Sequence, residues 1–156
     1  MVRSRVPESE VALIILLRAD GAALLQHRDD IPGLPHAGLW APPGGHREPG
    51  ESLEQCARRE FLEETAYRLD TLHPVQVVGS DPPTSRLNPL SRVVEGSDPT
   101  SITLFWSQYD NVQQPICREG QGLAFHRRED VGRLGVPPYL IGAWDAALAA
   151  RAAGVD

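Results

Sequence analysis

The longest apolar run in the chain lies near its start. Residues 11–17 are all hydrophobic, which predicts a strand buried on both faces and therefore central in a sheet. Asp20 and Gly21 follow, and residues 22–28 are again mostly apolar, so the two runs predict a hairpin with a tight turn. Residues 102–109 and 123–126 are further strand candidates near the other end of the chain.

Two stretches show helical periodicity instead. Leu53, Ala57 and Phe61 recur every four residues and, with Cys56, form an apolar stripe. Ser52 followed three residues later by Gln55 is a capping-box pair, which predicts that this helix begins near Ser52. A second helix is predicted over residues 139–152, with a stripe made of Leu140, Ala143, Trp144, Ala147 and Leu148.

The remaining segments predict connections. Residues 29–38 are rich in Asp, Pro and Gly and indicate a loop, whereas residues 75–79 are a short strand candidate. Residues 80–101 contain four prolines and five serines, which predicts a long loop that is either functional or disordered. We expect this loop to help select a ligand. Strands around a central helix, with a second helix at the end, predict one mixed α/β domain over residues 1–156.

Composition narrows the range of partners. With 41% hydrophobic and 23% charged residues, the chain has the composition of a soluble globular protein. Its net charge of −6 argues against nucleic acid or an anionic membrane as the main partner. All basic residues are arginine, so any side chain that binds phosphate must be an arginine. Two cysteines are too few for a disulfide framework, and the sequence shows no export signal or membrane span, so we expect a cytoplasmic protein.

The first predicted helix carries clustered acids. Glu60, Glu63 and Glu64 are spaced so that their Cβ atoms lie within about 5–6 Å of one another, and Arg59 begins the same turn. Like charges at this spacing destabilise a helix, and a divalent cation would remove that penalty. Carboxylate oxygens suit Mg²⁺ or Mn²⁺.

This stretch resembles the Nudix box of the MutT-like hydrolases, a pattern of fixed Gly, Glu and Arg-Glu positions that ends in Glu-Glu, any residue, Gly and an apolar residue. The matching residues are Gly45, Glu51, Arg59, Glu60, Phe61, Glu63, Glu64 and Tyr67. Ala66 departs from the pattern, because the family has glycine where a left-handed residue ends the helix. The resemblance implies a Nudix-type α/β/α sandwich with a mixed central sheet. It also implies metal-dependent hydrolysis of a pyrophosphate bond in a nucleoside diphosphate derivative, by attack of water at phosphorus.

The resemblance also implies residue roles. Glu60, Glu64 and Glu63, with the carbonyl of Gly44, would hold Mg²⁺ or Mn²⁺, while Arg59 would pair with Glu51 and orient the acids. Glu119 is a candidate base, since many relatives draw a glutamate from a late loop, although it could also be a solvated turn residue. The alternative is a base within the box, Glu63 or Glu60. Weaker rivals, Glu129 and Asp130, sit where a helix start explains them.

Candidates for substrate contact are Arg28, Trp40 and Gly45, although Arg28 also fits a surface position and Trp40 also fits the core. The substrate could be a nucleoside triphosphate, a nucleotide sugar or ADP-ribose, or a dinucleotide polyphosphate. The alternative function is a catalytically weak Nudix-fold module that binds nucleotides or regulates. The expected partner is a small nucleotide, not nucleic acid or membrane, and the sequence leaves a homodimer open.

Overall fold

The chain folds around a seven-stranded mixed sheet. The computed structural model describes residues 9–33, 37–75 and 100–154. The strands are β1 (Ser9–Leu17), β2 (Ala23–His27), β3 (Trp40–Ala41), β4 (Gly44–His46), β5 (His73–Pro74), β6 (Thr100–Gln108) and β7 (Gly122–His126). The helices are α1 (Leu53–Thr65), a 3-10 helix (Arg128–Arg133) and α2 (Pro138–Ala152).

Strand β1 lies at the centre of the sheet, as its unbroken apolar run predicts. It pairs with β6 in parallel along its whole length and with β2 and β4 in antiparallel fashion on its other edge. Because side chains alternate along a strand, its residues divide between two cores. Ala12, Ile14 and Leu16 enter one core, and Leu13, Ile15 and Leu17 enter the other.

The two helices cover opposite faces of the sheet. Cys56, Ala57 and Phe61 of α1 pack against the even-numbered core residues of β1. Leu140, Ala143, Trp144 and Ala147 of α2 pack against the odd-numbered ones. The expected α/β/α sandwich is thus confirmed. Neither α1 nor α2, the longer helices of the described ranges, is long and apolar enough to cross a membrane.

The ends of α1 follow the sequence closely. The Ser52 hydroxyl accepts the Gln55 backbone N–H at 3.0 Å, and the Gln55 side chain accepts the Ser52 N–H at 2.7 Å, so the predicted capping box is present. At the other end, Ala66 has a φ of 61° and donates its N–H to the Leu62 carbonyl. An alanine therefore occupies the left-handed position that the Nudix pattern gives to glycine.

The structure corrects several sequence predictions. Strand β4, which the sequence pattern did not predict, lies shortly before α1 and pairs with residues 11–13 of β1. Val75 follows β5, and the other residues of the strand predicted over 75–79 lie outside the described ranges. Of the long loop predicted over residues 80–101, Thr100 and Ser101 already belong to β6, and residues 80–99 lie outside the described ranges.

Strands β2 and β4 share one edge of β1. Strand β4 pairs with the first half of β1, whereas β2 meets it at Leu17 and Ala23. Strand β3 pairs with β2, so Pro42 and Pro43 carry the chain from the β2 side to the β1 side of this edge. The C-terminal part of α1 lies against this edge, as the contacts of Glu64 below show.

Candidate active site

Arg59 holds three acids of the box together. Its guanidinium donates two hydrogen bonds to the Glu51 carboxylate, at 2.7 and 3.0 Å, and one to Glu60 at 2.8 Å. It also donates to Glu63 at 3.4 Å and to the His46 carbonyl at 3.1 Å. The Arg59 hydrogen bonds are the largest cause that lowers the pKa of Glu51, to about 2. Glu51 is therefore ionised at neutral pH and keeps Arg59 in place.

Glu64 lies apart from this arginine, in a buried position. Only 6% of the residue is exposed, and its carboxylate accepts the Gly44 N–H at 3.1 Å and the Gln26 amide at 3.5 Å. Burial, and then the negative charge of Glu119, raise the pKa of Glu64 to about 8; Glu60 adds to the rise, whereas the Gly44 N–H opposes it. Glu64 is therefore a buried acid that favours its neutral form near neutral pH when no cation is bound.

The clustered acids differ in exposure. The side chain of Glu63 is 58% exposed, whereas Glu64 points towards the sheet. The reason is helical geometry, because position 64 follows buried Phe61 by three residues and so lies beside the apolar stripe. Glu64 consequently contacts β2 through Gln26 and β4 through Gly44.

The two glycines before the box make room for these contacts. A Cβ on Gly44 would lie 2.0 Å from the Ala12 carbonyl oxygen, so only glycine lets β4 approach β1 this closely. A Cβ on Gly45 would lie 2.3 Å from a carboxylate oxygen of Glu60. The structure thus places Gly45 against Glu60, where its missing side chain makes space for the acid.

Residues 116–121, which we call the Glu119 loop, bring Glu119 to the box. The N–H groups of Ile116 and Arg118 donate to the carbonyls of Thr65 and Glu64 at the end of α1, at 2.7 and 3.0 Å. The Gln121 N–H donates to the His27 carbonyl in β2 at 2.7 Å. This double attachment explains why the charge of Glu119 acts on Glu64 across a large sequence separation.

The two weaker candidates for the catalytic base contact arginines. Glu129 pairs with Arg127, and Asp130 pairs with Arg133 in the 3-10 helix, which begins without a side-chain cap. Glu129 and Asp130 thus stand at a helix start, as expected, but they do not cap it.

Trp40 lies on the α2 side of the sheet, where it packs against the core. His27 stacks on its ring at 4.6 Å between centroids, and His126 meets it edge-on at 4.4 Å. The positive charge of Arg28 acts on the hydroxyl of Tyr139, a core residue on that same side. Trp40 is thus part of the core packing, and the Arg28 charge acts on this same side of the sheet. His27 and His126 thus take part in the packing around this tryptophan.

Gln26 is a site residue that the sequence reasoning missed. Its side chain is buried and donates to both Glu64 and the Glu119 carbonyl. A signal was present in β2, because Leu24 and Gln26 point to the same face and Leu24 is core. A polar residue at the next inward position of a buried strand indicates a specific hydrogen-bonding partner.

A family comparison identifies the fold. The NUDIX domain model matches residues 7–143. The chain belongs to the Nudix family. One solved structure similar to this Nudix protein is a MutT NUDIX hydrolase from Burkholderia pseudomallei, with a TM-score of 0.70 and 18% identity. That match covers 90% of this chain and 98% of the other, and it shows the shared fold.

Two curated relatives match shorter stretches of this Nudix protein. A Bacillus subtilis protein described as a candidate 8-oxo-dGTP diphosphatase is 46% identical over 56 residues, which is 36% of this chain and 34% of that protein. An oxidized purine nucleoside triphosphate hydrolase from Danio rerio is 51% identical over 39 residues, 25% of each chain. The matches thus span about a third and a quarter of the relatives' lengths.

Proposed function

We propose that this Nudix protein is a divalent-metal-dependent pyrophosphohydrolase, and that nucleoside triphosphates with an oxidised purine base are its best substrates. The observation that carries the reaction type is the buried Glu64 carboxylate beside Glu60 and Glu119. A buried acid on which the charges of two other acids act suits a site that takes up positive charge.

The donor set fits a hard divalent cation. Glu60, Glu64 and Glu63, with the Gly44 carbonyl, would hold Mg²⁺ or Mn²⁺, which would stabilise phosphate charge and acidify a water molecule when bound. Within the described ranges no three acidic, histidine or cysteine side chains are gathered as a ready-made site. A reason is visible, because Arg59 draws Glu60 and Glu63 towards itself. To bind a cation, those two acids would therefore have to release Arg59. Glu51 would still hold Arg59 through two hydrogen bonds.

Other residues of the chain have separate proposed roles in the reaction. Glu51 and Arg59 orient the acids, since their paired contact fixes the guanidinium beside Glu60. Glu119 is the proposed proton acceptor for the attacking water, because it is exposed and its charge reaches Glu64. Glu63 is the alternative acceptor. Arg28 is the proposed phosphate contact, and the chain has no lysine to replace it.

The substrate preference rests on the two curated relatives. Both are named for oxidised purine nucleotides, and both match this chain at about half identity over the aligned residues. A substrate panel tests the preference: 8-oxo-dGTP, dGTP, ADP-ribose and a dinucleotide polyphosphate, each with Mg²⁺, Mn²⁺ or EDTA. We expect the highest kcat/KM for 8-oxo-dGTP, with a nucleoside monophosphate and pyrophosphate as products. A higher value for another panel member would refute the preference alone.

The reaction type is tested by substitution at Glu64. Replacement of Glu64 by Gln keeps the side-chain shape but leaves a group that cannot ionise to hold a cation, so we expect kcat to fall by about hundredfold or more. Glu54→Gln is the matched control, since Glu54 lies in the first turn of the same helix and is exposed. Turnover in EDTA, or an active Glu64→Gln protein, would overturn the proposal. Nucleotide binding without turnover would favour the binding-module alternative.

A further inference from the structure

Gln26 occupies a position that ordinarily holds an apolar residue. It lies in β2, where its backbone pairs with Ala41 on one side and Leu123 on the other. Only 2% of the residue is exposed, and Leu24 on the same face belongs to the core beside α1. Placing an amide there costs stability unless its polar atoms are satisfied.

The amide nitrogen joins two parts of the site. Nε2 of Gln26 donates to the backbone carbonyl of Glu119 at 3.2 Å and to the Glu64 carboxylate at 3.5 Å. The first contact acts on the Glu119 loop and the second on α1. A primary amide suits this place, because its two N–H groups face two acceptors.

Close packing reinforces this attachment. A Cβ on Gly120 would lie 2.6 Å from the His27 carbonyl oxygen and 3.2 Å from Cγ of Gln26, so the Glu119 loop runs directly over the end of β2. Gln121 then donates its N–H to the same His27 carbonyl. The Gln26 side chain is therefore enclosed between the loop and the helix.

We propose that Gln26 is a positioning residue, which holds the Glu119 loop against the end of α1 so that the Glu119 carboxylate stays beside Glu64. This inference rests on the proposed hydrolase function for its kinetic consequence. Its structural consequence, a loop that a buried amide helps to hold in place, does not depend on any substrate.

Two substitutions remove the donor in different ways. Gln26→Met keeps an unbranched side chain of similar size without N–H groups. Gln26→Glu keeps the shape but turns an oxygen towards the carbonyl and the carboxylate, which already accept hydrogen bonds. Leu24→Met is the control, because it changes a buried side chain on the same strand face.

Amide hydrogen exchange in the metal-free protein tests the attachment. We expect the Arg118 and Gln121 amides to exchange about tenfold faster or more in Gln26→Met, since each lost hydrogen bond frees the loop locally. Amides in α2 and the Leu24→Met protein should behave as wild type. Unchanged loop exchange in both Gln26 variants, or equal acceleration in Leu24→Met, would overturn the proposal.

Kinetics test the consequence for Glu119. We expect kcat of Gln26→Met to fall by about ten- to hundredfold with KM within about twofold, because a displaced reacting group costs rate and not binding. Combining Gln26→Met with Glu119→Gln should cost little more than Glu119→Gln alone, as both act through one group. Additive losses would show that Gln26 acts elsewhere. An inactive wild type would refute the proposed function, and the exchange experiment would still decide whether Gln26 holds the loop.

Discussion

The position of the Glu60 carboxylate depends on one missing methyl group. Gly45 stands where any Cβ would collide with an oxygen of Glu60, at 2.3 Å. The carboxylate also takes a hydrogen bond from Arg59, so it is held from two sides. Residues that only make space can thus matter as much to a site as the acids themselves.

Substituting Gly45 by Ala is therefore predicted to displace Glu60. We expect kcat to fall by about ten- to hundredfold, because the acid is moved from the cluster, while the thermal unfolding midpoint changes little. Gly132→Ala is the control, since a Cβ there meets open space. Wild-type turnover of Gly45→Ala would show that the Glu60 position is not critical.

His126 gives a prediction about pH. Its Nε2 is buried with no hydrogen-bond partner among the described contacts, and burial lowers the pKa of this imidazole, against the opposing charge of Asp130. Below its ordinary pKa of about 6.5, the unfolded chain binds a proton that the folded protein resists. The protein therefore keeps its full stability with respect to His126 above about pH 6.5. It loses stability as the pH falls from there towards the lower folded-state pKa of His126.

Urea unfolding at about pH 7.5, 6.5 and 5.5 measures this dependence. We expect the free energy of unfolding to fall with pH more steeply in wild type than in His126→Gln. His46→Gln is the control, because its side chain is exposed in β4. Parallel curves for wild type and His126→Gln would exclude His126 as the source.

At the scale of elements, α1 combines a well-formed start with a strained end. The capping box satisfies donors at Ser52 and Gln55, whereas Ala66 holds a left-handed conformation that a Cβ disfavours. The helix end is nevertheless kept, because the Ile116 and Arg118 N–H groups bind the carbonyls of the two preceding residues.

Ala66→Gly should relieve this strain. We predict a rise in the free energy of unfolding of up to about 1 kcal/mol, reduced by the larger entropy of glycine in the unfolded chain. Chemical denaturation of Ala149→Gly gives the contrast, because that exposed alanine is within α2 and its loss should cost about 1 kcal/mol. A clear destabilisation by Ala66→Gly would contradict the strain argument.

The long elements were predictable, and the short ones were not. Strand β1 and both helices span enough residues for their apolar periodicity to be read from the sequence. Strands β3, β4 and β5 have two or three residues each, so no periodicity can show them, and they form because β1, β2 and β6 offer edges.

The site was predictable to a similar extent. Fixed spacing along one helix indicated the box acids and Arg59. The burial of Glu64 and the role of Gln26 depend on how α1 sits against β2 and on the Glu119 loop, which are long-range contacts. Such contacts leave only an indirect trace in the sequence, here a polar residue in a buried strand.

At the scale of the whole molecule, the clustered acids add electrostatic repulsion to a chain whose net charge is already negative. The net charge is −6, and the Glu119 and Glu60 charges act on a buried Glu64. A bound divalent cation would relieve this repulsion only in the folded protein, so it would stabilise the fold by mass action. Stability should therefore report on metal binding even without a substrate.

We predict that Mg²⁺ or Mn²⁺ raises the thermal unfolding midpoint and that EDTA reverses the rise. Glu64→Gln should lose most of the effect, whereas Glu54→Gln should retain it. Differential scanning fluorimetry across a metal titration measures both. Equal shifts in the two variants would indicate that ions act on the surface and not at the cluster.

The pairing of β1 with β6 has a consequence for how the chain acquires its fold. Ser9 pairs with Thr100 and Leu17 with Gln108, so the central ladder joins segments that are 91 residues apart in the sequence. Such long-range pairing requires closing a large loop before any contact is gained, which slows folding. During synthesis, the hairpin and the box emerge well before β6. The chain would therefore carry the acids of the box through much of translation without the strand that completes the sheet beneath them.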